Sequence, residues 1–481
     1  MKIKLLFILL AFAFTNQKCN EKEDEEFAPP VVDPPVGELA EVQMYLTTAN
    51  ASSKLAWQEN GIDFSLDNPD YTITIDESIT YQEIDGFGFA LTGGSASHIN
   101  GMSASAKEAL LNELFGKESG QIGISYIRIS IGASDLDAEV YSYNDLPEGE
   151  EDLLQENFSI EAERETMIPL LKSILAINPD LKIMASPWSP PVWMKSNKSS
   201  IGGNLLKEYY DSYALYLSKY MEAMAAEGIP IESMTIQNEP LHSGNNPSMS
   251  MSATEQLDFI KSSLGPIFTE RNITTKIVLY DHNADKPEYP MTILADEEAA
   301  QYVDGSGFHL YGGDISALST VKNAYPDKNI YFTEQWFGAP GDFAGDLKWH
   351  VRELIIGATR NWSKNVIEWN LSSDPDLQPH TSGGCSQCLG GITIDGDQVT
   401  HNAGYYVIAH ASKFVKGGAI RISSNSSGEV SNVAFAKDNQ RILIVLNNTG
   451  EAKKINVVNN ENNFSTILDG GSVATYVWNK N

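Results

Sequence analysis

Ser233-Met-Thr-Ile-Gln-Asn-Glu239-Pro240 and Asn329-Ile-Tyr-Phe-Thr-Glu334-Gln-Trp336 are short apolar runs, each carrying a glutamate at its polar end. Their Ile, Thr, Tyr and Phe content is that of buried parallel strands. A carboxylate at the end of such a strand is a poor core residue, because burying an unpaired charge is expensive. It makes sense as a group presented to a pocket. The two glutamates stand 95 residues apart, which suggests two strands of one repeating βα scaffold. Two facing carboxylates are also what hydrolysis of a glycosidic bond requires.

Working outward, eight strand-like runs end in polar or aromatic residues: Glu83–Ala90, Ile124–Gly132, Lys182–Trp188, Ser233–Pro240, Thr275–Asn283, Val303–Tyr311, Asn329–Trp336 and Asn365–Ser373. Helical patterns lie between them. Ser105-Ala-Lys-Glu108 and Ser252-Ala-Thr-Glu255 both spell capping boxes, and Leu206, Tyr209, Tyr213, Tyr216 and Tyr220 recur at helical spacing. Strands alternating with helices over this length predict a (β/α)8 barrel at residues 79–415. In such a barrel the C-terminal strand ends form the active face. Those ends supply Arg128, Asp135, Trp188, Asn238, Glu239, His309, Tyr311, Glu334, Trp336 and Trp369. Indole faces stack on sugar rings and fixed polar groups bond hydroxyls, so the set predicts a carbohydrate site. It shows no metal-ligand grouping, and neither metal nor cofactor is expected. His309 is read as a group that fixes its neighbours.

Glu41–Thr48, Tyr71–Asp76, Val430–Ala436, Arg441–Asn447, Lys454–Asn459 and Ser472–Trp478 alternate like strands, and turns such as Asp469-Gly-Gly471 separate the later ones. Asp395-Gly396 reads as a hairpin turn. At the N-terminus, Met1-Lys-Ile-Lys4 followed by Leu5–Phe14 reads as an export signal ending near residue 19, too short to span a bilayer. Cys19 stands where a lipidated cysteine would, ahead of an acidic, Pro-rich tether over residues 20–39. The expected location is the bacterial outer membrane or cell surface, otherwise the periplasm or medium. Membrane attachment is expected only through that lipid.

With 33 Lys and Arg against 64 Asp and Glu, the net charge of −31 excludes a nucleic-acid partner, whose phosphates would be repelled. A neutral glycan is compatible with it. Besides Cys19 only Cys385 and Cys388 remain, and in an oxidising compartment a local disulfide is the preferred reading.

Asn238-Glu239-Pro240, Thr333-Glu334-Gln335-Trp336, Ala185-Ser-Pro-Trp-Ser-Pro-Pro-Val-Trp193, Ile367-Glu-Trp-Asn370, Gly86-Phe-Gly88 and Tyr126-Ile-Arg128, in this order and spacing, resemble glycoside hydrolase family 30. That family includes glucosylceramidases and endo-β-1,6-glucanases, and the likeness spans roughly residues 40–481. It implies a β-sandwich built from residues 40–78 and 416–481 beside the barrel. It implies a retaining hydrolase with Glu239 as acid/base and Glu334 as nucleophile. Asn238 would bond the sugar 2-hydroxyl, Arg128 and Tyr311 would hold Glu334, and Asp135, Trp188 and Trp369 would line the glycone subsite. Lysosomal-type glucosylceramidases carry a glycone-contacting Asn in the loop after the last barrel strand. Here that loop reads Thr381-Ser-Gly-Gly-Cys-Ser-Gln-Cys388. The expected substrate is a β-linked glucan cut internally at 1,6-linkages. An exo-acting β-glucosidase of glucosylceramidase type is the alternative, as is a non-catalytic glycan-binding lipoprotein, which retention of both glutamates disfavours.

Overall fold

The computed structural model describes residues 41–59 and 61–480. The export signal, Cys19 and the acidic tether lie outside the described residues.

Eight parallel strands close into a barrel: Gly86–Ala90 (β1), Tyr126–Ile131 (β2), Lys182–Pro187 (β3), Ser233–Thr235 (β4), Lys276–Ala284 (β5), Val303–Gly313 (β6), Asn329–Glu334 (β7) and Ser363–Asn370 (β8). Neighbours in the barrel are neighbours in sequence, and β8 closes on β1. Gly88 shows why the first seam needs glycine: a Cβ there would lie 2.0 Å from the Tyr126 carbonyl oxygen.

The interior is layered. Tyr126, Met184, Val278, Tyr331 and Ile367 form a sealed apolar plug contributed by five strands. Side chains alternate along a strand, so two residues onward the same interior face continues. On four of these strands it turns to Arg128, Ser186, Thr333 and Trp369, the floor of the site.

Three expectations are corrected in detail. The run Ser233–Pro240 is regular strand for only three residues. Beyond Thr235 the chain stays tied to its neighbours through Asn238 N–H to the Pro187 carbonyl and Glu239 N–H to the Asp281 carbonyl, but Glu239 adopts φ +44°. Helix Ala104–Phe115 is capped by Ser103, whose hydroxyl accepts from the Ala106 N–H, and not by Ser105. Glu83 does not open the first barrel strand; it ends a sandwich strand, Tyr71–Glu83. By contrast Ser252 and Glu255 make both reciprocal bonds of a capping box, a motif worth about 1 kcal/mol.

Tyr71–Glu83 organises the second unit. Its first residues pair in parallel with Lys453–Asn459 and its later ones antiparallel with Ile420–Ser424, inside a nine-stranded sheet drawn from both chain ends. The sheet doubles over along this strand. Its halves share one core that includes Val42, Ile73, Ile75, Leu443, Val457, Phe464, Tyr476 and Trp478. The strand Ile420–Ser424 and the strand Asn462–Leu468 had no counterpart in the sequence reading. A buried imidazole joins sandwich to barrel: His410, in helix Ala403–Ser412, bonds Thr47 Oγ1 at 2.8 Å and Thr475 Oγ1 at 2.9 Å. Burial lowers its pKa to about 3, so it stays neutral and ties one helix to both ends of the chain.

Candidate active site

At the C-terminal mouth of the barrel lies a cavity of about 450 Å³. Asp135, Trp188, Asn238, Glu239, Tyr311, Glu334, Trp336 and Trp369 all line it, as do Cys385 and Cys388. Arg128 and His309, both fully buried, lie beneath its floor. The strand-end reading therefore brought together residues from six of the eight barrel strands and their trailing loops.

Arg128 is the centre of the floor. Its Nη1 donates to Glu334 Oε2 at 2.5 Å, while Nη2 donates to Asp281 Oδ2 at 2.7 Å and to Asn238 Oδ1 at 2.8 Å. The guanidinium carbon sits 4.8 Å from the Trp188 ring and 5.9 Å from the Trp369 ring. Those two indoles are 5.4 Å apart, stacked as a tilted pair over the cation. The pairing with Asn238 has a consequence. Arginine only donates, so it must face the amide oxygen, and the amide NH2 is left toward the cavity as a fixed donor.

Both Glu334 oxygens accept. Oε2 takes the Arg128 bond and Oε1 takes the Tyr311 hydroxyl at 3.0 Å. Burial, with the charges of Glu239 and Asp281, raises its pKa against the pull of His309 and Arg128. The hydrogen bonds decide the state: with a donor on each oxygen, the carboxylate form is the one that fits.

Glu239 differs. Its Oε1 stands 3.2 Å from His309 Nδ1, and the same nitrogen is 3.6 Å from Glu334 Oε1. One imidazole thus touches both carboxylates, whose facing oxygens can be no farther apart than the sum of these distances. Burial favours the neutral Glu239 carboxyl, but His282 and His309 outweigh it and draw its pKa down. His309 in turn is raised to about 9: burial opposes its charge, and Glu334, Asp281 and Glu239 overcome that. The pair Glu239–His309 therefore holds one proton between two adjacent atoms. Asp135, pushed up to about 7 by burial and by Glu334, accepts from the Cys385 N–H at 3.1 Å.

The sequence reading missed Asp281, His282 and Asn283, all from β5. Asp281 is fully buried and accepts from Arg128, from His309 Nε2 at 3.0 Å, and from the Thr235 and Thr333 hydroxyls at 2.6 Å each. Regular alternation from Val278 would aim Tyr280 inward. Instead Tyr280 and Asp281 take φ +70° and +64°, and the register with β6 slips between Tyr280 and His282. This bulge sends Tyr280 outward onto Tyr289 and turns Asp281 inward. The signal in sequence was the polar string Asp281-His-Asn283 ending a strand run.

Cys385 and Cys388 are bonded to each other. Their loop leans on the site through Thr381 N–H to the Asp135 carbonyl, and a Cβ on Gly384 would strike that carbonyl at 2.3 Å. The expectation of no metal-ligand grouping is corrected: Glu239, His282 and His309 bring ligand atoms within 4.8 Å of one another. The histidines are separated by 27 residues in sequence, so only folding joins them.

A closed (β/α)8 barrel with two buried, interlinked carboxylates under an indole-walled cavity is the architecture of a glycoside hydrolase. Residues 84–415 match the glycosyl hydrolase family 30 TIM-barrel domain, and residues 418–476 match the family 30 β-sandwich domain. The chain belongs to glycoside hydrolase family 30, a family of retaining enzymes. An endo-1,6-β-D-glucanase of Neurospora crassa is 33% identical over 90% of this chain and 94% of that protein. The lysosomal acid glucosylceramidase of Mus musculus is 26% identical over 85% of this chain and 83% of that protein. The solved structure of the endo-β1,6-glucanase BT3312 superposes with a TM-score of 0.86 at 36% identity, covering 92% of this chain and 100% of that one.

Proposed function

We propose that this retaining hydrolase cuts β-1,6-glucan internally. What carries the substrate is the likeness to the Neurospora endo-1,6-β-D-glucanase along 90% of the chain, at higher identity than to the mouse glucosylceramidase. The loop Thr381–Cys388 lacks the glycone-contacting Asn expected of the glucosylceramidase type, which weighs against that alternative.

In the proposed mechanism Glu334 attacks the anomeric carbon, and the bond to the leaving oxygen breaks as the glycosyl–carboxylate bond forms. Arg128 and Tyr311 hold both Glu334 oxygens in place for that attack. The proton shared by Glu239 and His309 passes from the Glu239 carboxyl to the departing oxygen. Glu239, now ionised, takes a proton from water, and the resulting attack on the glycosyl-enzyme restores Glu334. Both faces of the ring are used, which retains configuration. The NH2 of Asn238, held by Arg128, donates to the 2-hydroxyl as positive charge grows on the ring. Trp188, Trp336 and Trp369 supply apolar faces for the sugars.

We place the enzyme outside the cytoplasm, on the strength of Leu5–Phe14 and Cys19, with a lipid on that cysteine. Radiolabelled palmitate that enters the wild-type chain but not Cys19→Ala supports this, and a soluble unlabelled product ends it.

The substrate test is digestion of β-1,6-glucan beside p-nitrophenyl β-glucoside. A ladder of β-1,6-oligosaccharides early in the digest is expected. Glucose alone would replace the endo reading with an exo one. No turnover of any β-glycoside would leave a glycan-binding scaffold.

A further inference from the structure

We infer that Glu239, His282 and His309 form a binding site for a borderline divalent transition metal such as Zn²⁺, and that its occupation reversibly silences the enzyme. The second half rests on the reading of Glu239 as acid/base; the first does not.

Geometry carries it. At metal–ligand distances of about 2.0–2.2 Å, the ligand atoms of a tetrahedral site stand about 3.4 Å from one another. Glu239 Oε1 is 3.2 Å from His309 Nδ1 and 3.5 Å from His282 Nδ1. All three residues offer ligand atoms within 4.8 Å of one another. A rotation of His282, whose Nδ1 is buried and makes no hydrogen bond, would close the triangle. That nitrogen faces the Glu239 carboxylate without a hydrogen bond between them, and a metal would satisfy both.

The surroundings are those of a metal site. His309 uses its other nitrogen, Nε2, on Asp281 at 3.0 Å. A carboxylate behind a ligating imidazole fixes the ring and strengthens it as a donor. Glu239 and His282 also line the open cavity, so a cation has a way in and a water can complete the coordination. Glu334 and Asp281 add negative charge within the same cluster. Two imidazoles with one carboxylate select Zn²⁺, Cu²⁺ or Ni²⁺; Ca²⁺ and Mg²⁺ require more oxygen ligands than the three groups provide.

The consequence follows from atom balance. The metal takes the lone pair of His309 Nδ1 and of Glu239 Oε1, and the proton held between them is released to water. With its oxygen held by the metal, the Glu239 carboxyl at the cavity is occupied and cannot serve the leaving group. Removing the ion with a chelator returns the proton and the activity.

The test uses the full chain, stripped with EDTA and dialysed. Zn²⁺ is titrated by calorimetry, Co²⁺ by visible absorption, and activity is read on p-nitrophenyl β-glucoside. One equivalent of Zn²⁺, intense tetrahedral Co²⁺ bands, and EDTA-reversible inhibition are expected, with no effect of Ca²⁺ or Mg²⁺. His282→Gln should weaken Zn²⁺ binding by about 10–100-fold or more. His242→Gln, at the cavity wall but outside the cluster, should bind Zn²⁺ as the wild type does. Should His282→Gln fail to fold, a glucose-configured iminosugar seated in the cavity of the wild type should abolish the Co²⁺ bands. Absence of stoichiometric Zn²⁺ binding, undiminished binding by folded His282→Gln, or Co²⁺ bands indifferent to the iminosugar would each overturn the site. Stoichiometric binding without inhibition would confirm the site and overturn the role given to Glu239.

Discussion

Replacing Asp281 by Asn tests the floor of the site at its most connected atom pair. Oδ2 accepts from Arg128 Nη2 and Thr235, and Oδ1 accepts from His309 Nε2 and Thr333. An amide matches this carboxylate in shape, yet one of its two ends must present N–H to a pair of donors. Against Arg128 the conflict has no remedy, because guanidinium cannot accept. The NH2 therefore turns to His309, which can accept only by losing the proton from Nε2. Two effects follow. Removing one partner of a buried ion pair costs about 3–5 kcal/mol, so Asp281→Asn should melt well below the wild type. His309 also loses the acceptor and charge that help raise its pKa to about 9. The proton it shares with Glu239 is present below that pKa and lost above it. In the wild type the alkaline limb of kcat/KM should fall near pH 9, and in Asp281→Asn it should move toward the ordinary value of 6.5. At the optimum the loss should be about 10²–10³-fold, the size expected when a preorganised donor is misaligned. The same shift has a stability sign. A histidine whose pKa is higher folded than unfolded adds stability fully present below about 6.5 and lost as pH rises through the folded value. The control is Asp85→Asn: this buried carboxylate, at the opposite barrel end, pairs with Lys182 at 2.6 Å. It should lose stability and keep its rate and pH profile. Wild-type kcat/KM and an unmoved alkaline limb in folded Asp281→Asn would refute the reasoning.

Glu239→Ala should still be glycosylated by a substrate with an acidic phenol leaving group, accumulate glycosyl-enzyme, and turn over again with azide to a β-glycosyl azide. Glu334→Ala should not yield that product, and the reverse pattern would exchange the two roles. Tyr311→Phe removes one hydrogen bond to an ionised carboxylate, worth about 1.5–3 kcal/mol, so kcat should fall by about 10–150-fold. An unchanged kcat would show that Arg128 alone holds Glu334. Reducing the Cys385–Cys388 bond opens a ring of only four residues, so chain entropy predicts a loss of about 2 kcal/mol or less. The larger effect should be on KM, because the loop positions Asp135. A KM on β-1,6-glucan indifferent to dithiothreitol would detach the loop from the site.

The periodic features of this chain were legible because they are local. Alternating apolar strands and helices announced the barrel, and polar residues at strand ends marked its mouth, where Glu239, Glu334, Asn238 and the tryptophans are indeed gathered. Backbone irregularity hid the rest. The Ser233–Pro240 run read as one strand, yet a positive φ at Glu239 carries its carboxylate over the floor instead of along the ladder. Asp281 went unread since alternation from Val278 points to Tyr280, and only the bulge reverses the two. The long strand Tyr71–Glu83 was truncated in the reading because its outer half carries polar, solvent-facing residues on both faces.

The sequence by itself determined the class: strand and helix periodicity, the order of the motifs, and two glutamates on one scaffold leave little else for the chain to be. Only the tertiary structure decided protonation and pairing. Those depend on distances of 3–4 Å between groups far apart in sequence, in a medium where removing water multiplies every charge interaction. His309 shows the division. Its place at a strand end is written in residues 303–311, but its charge is set by Asp281, Glu239 and Glu334, which barrel closure alone brings to one ring.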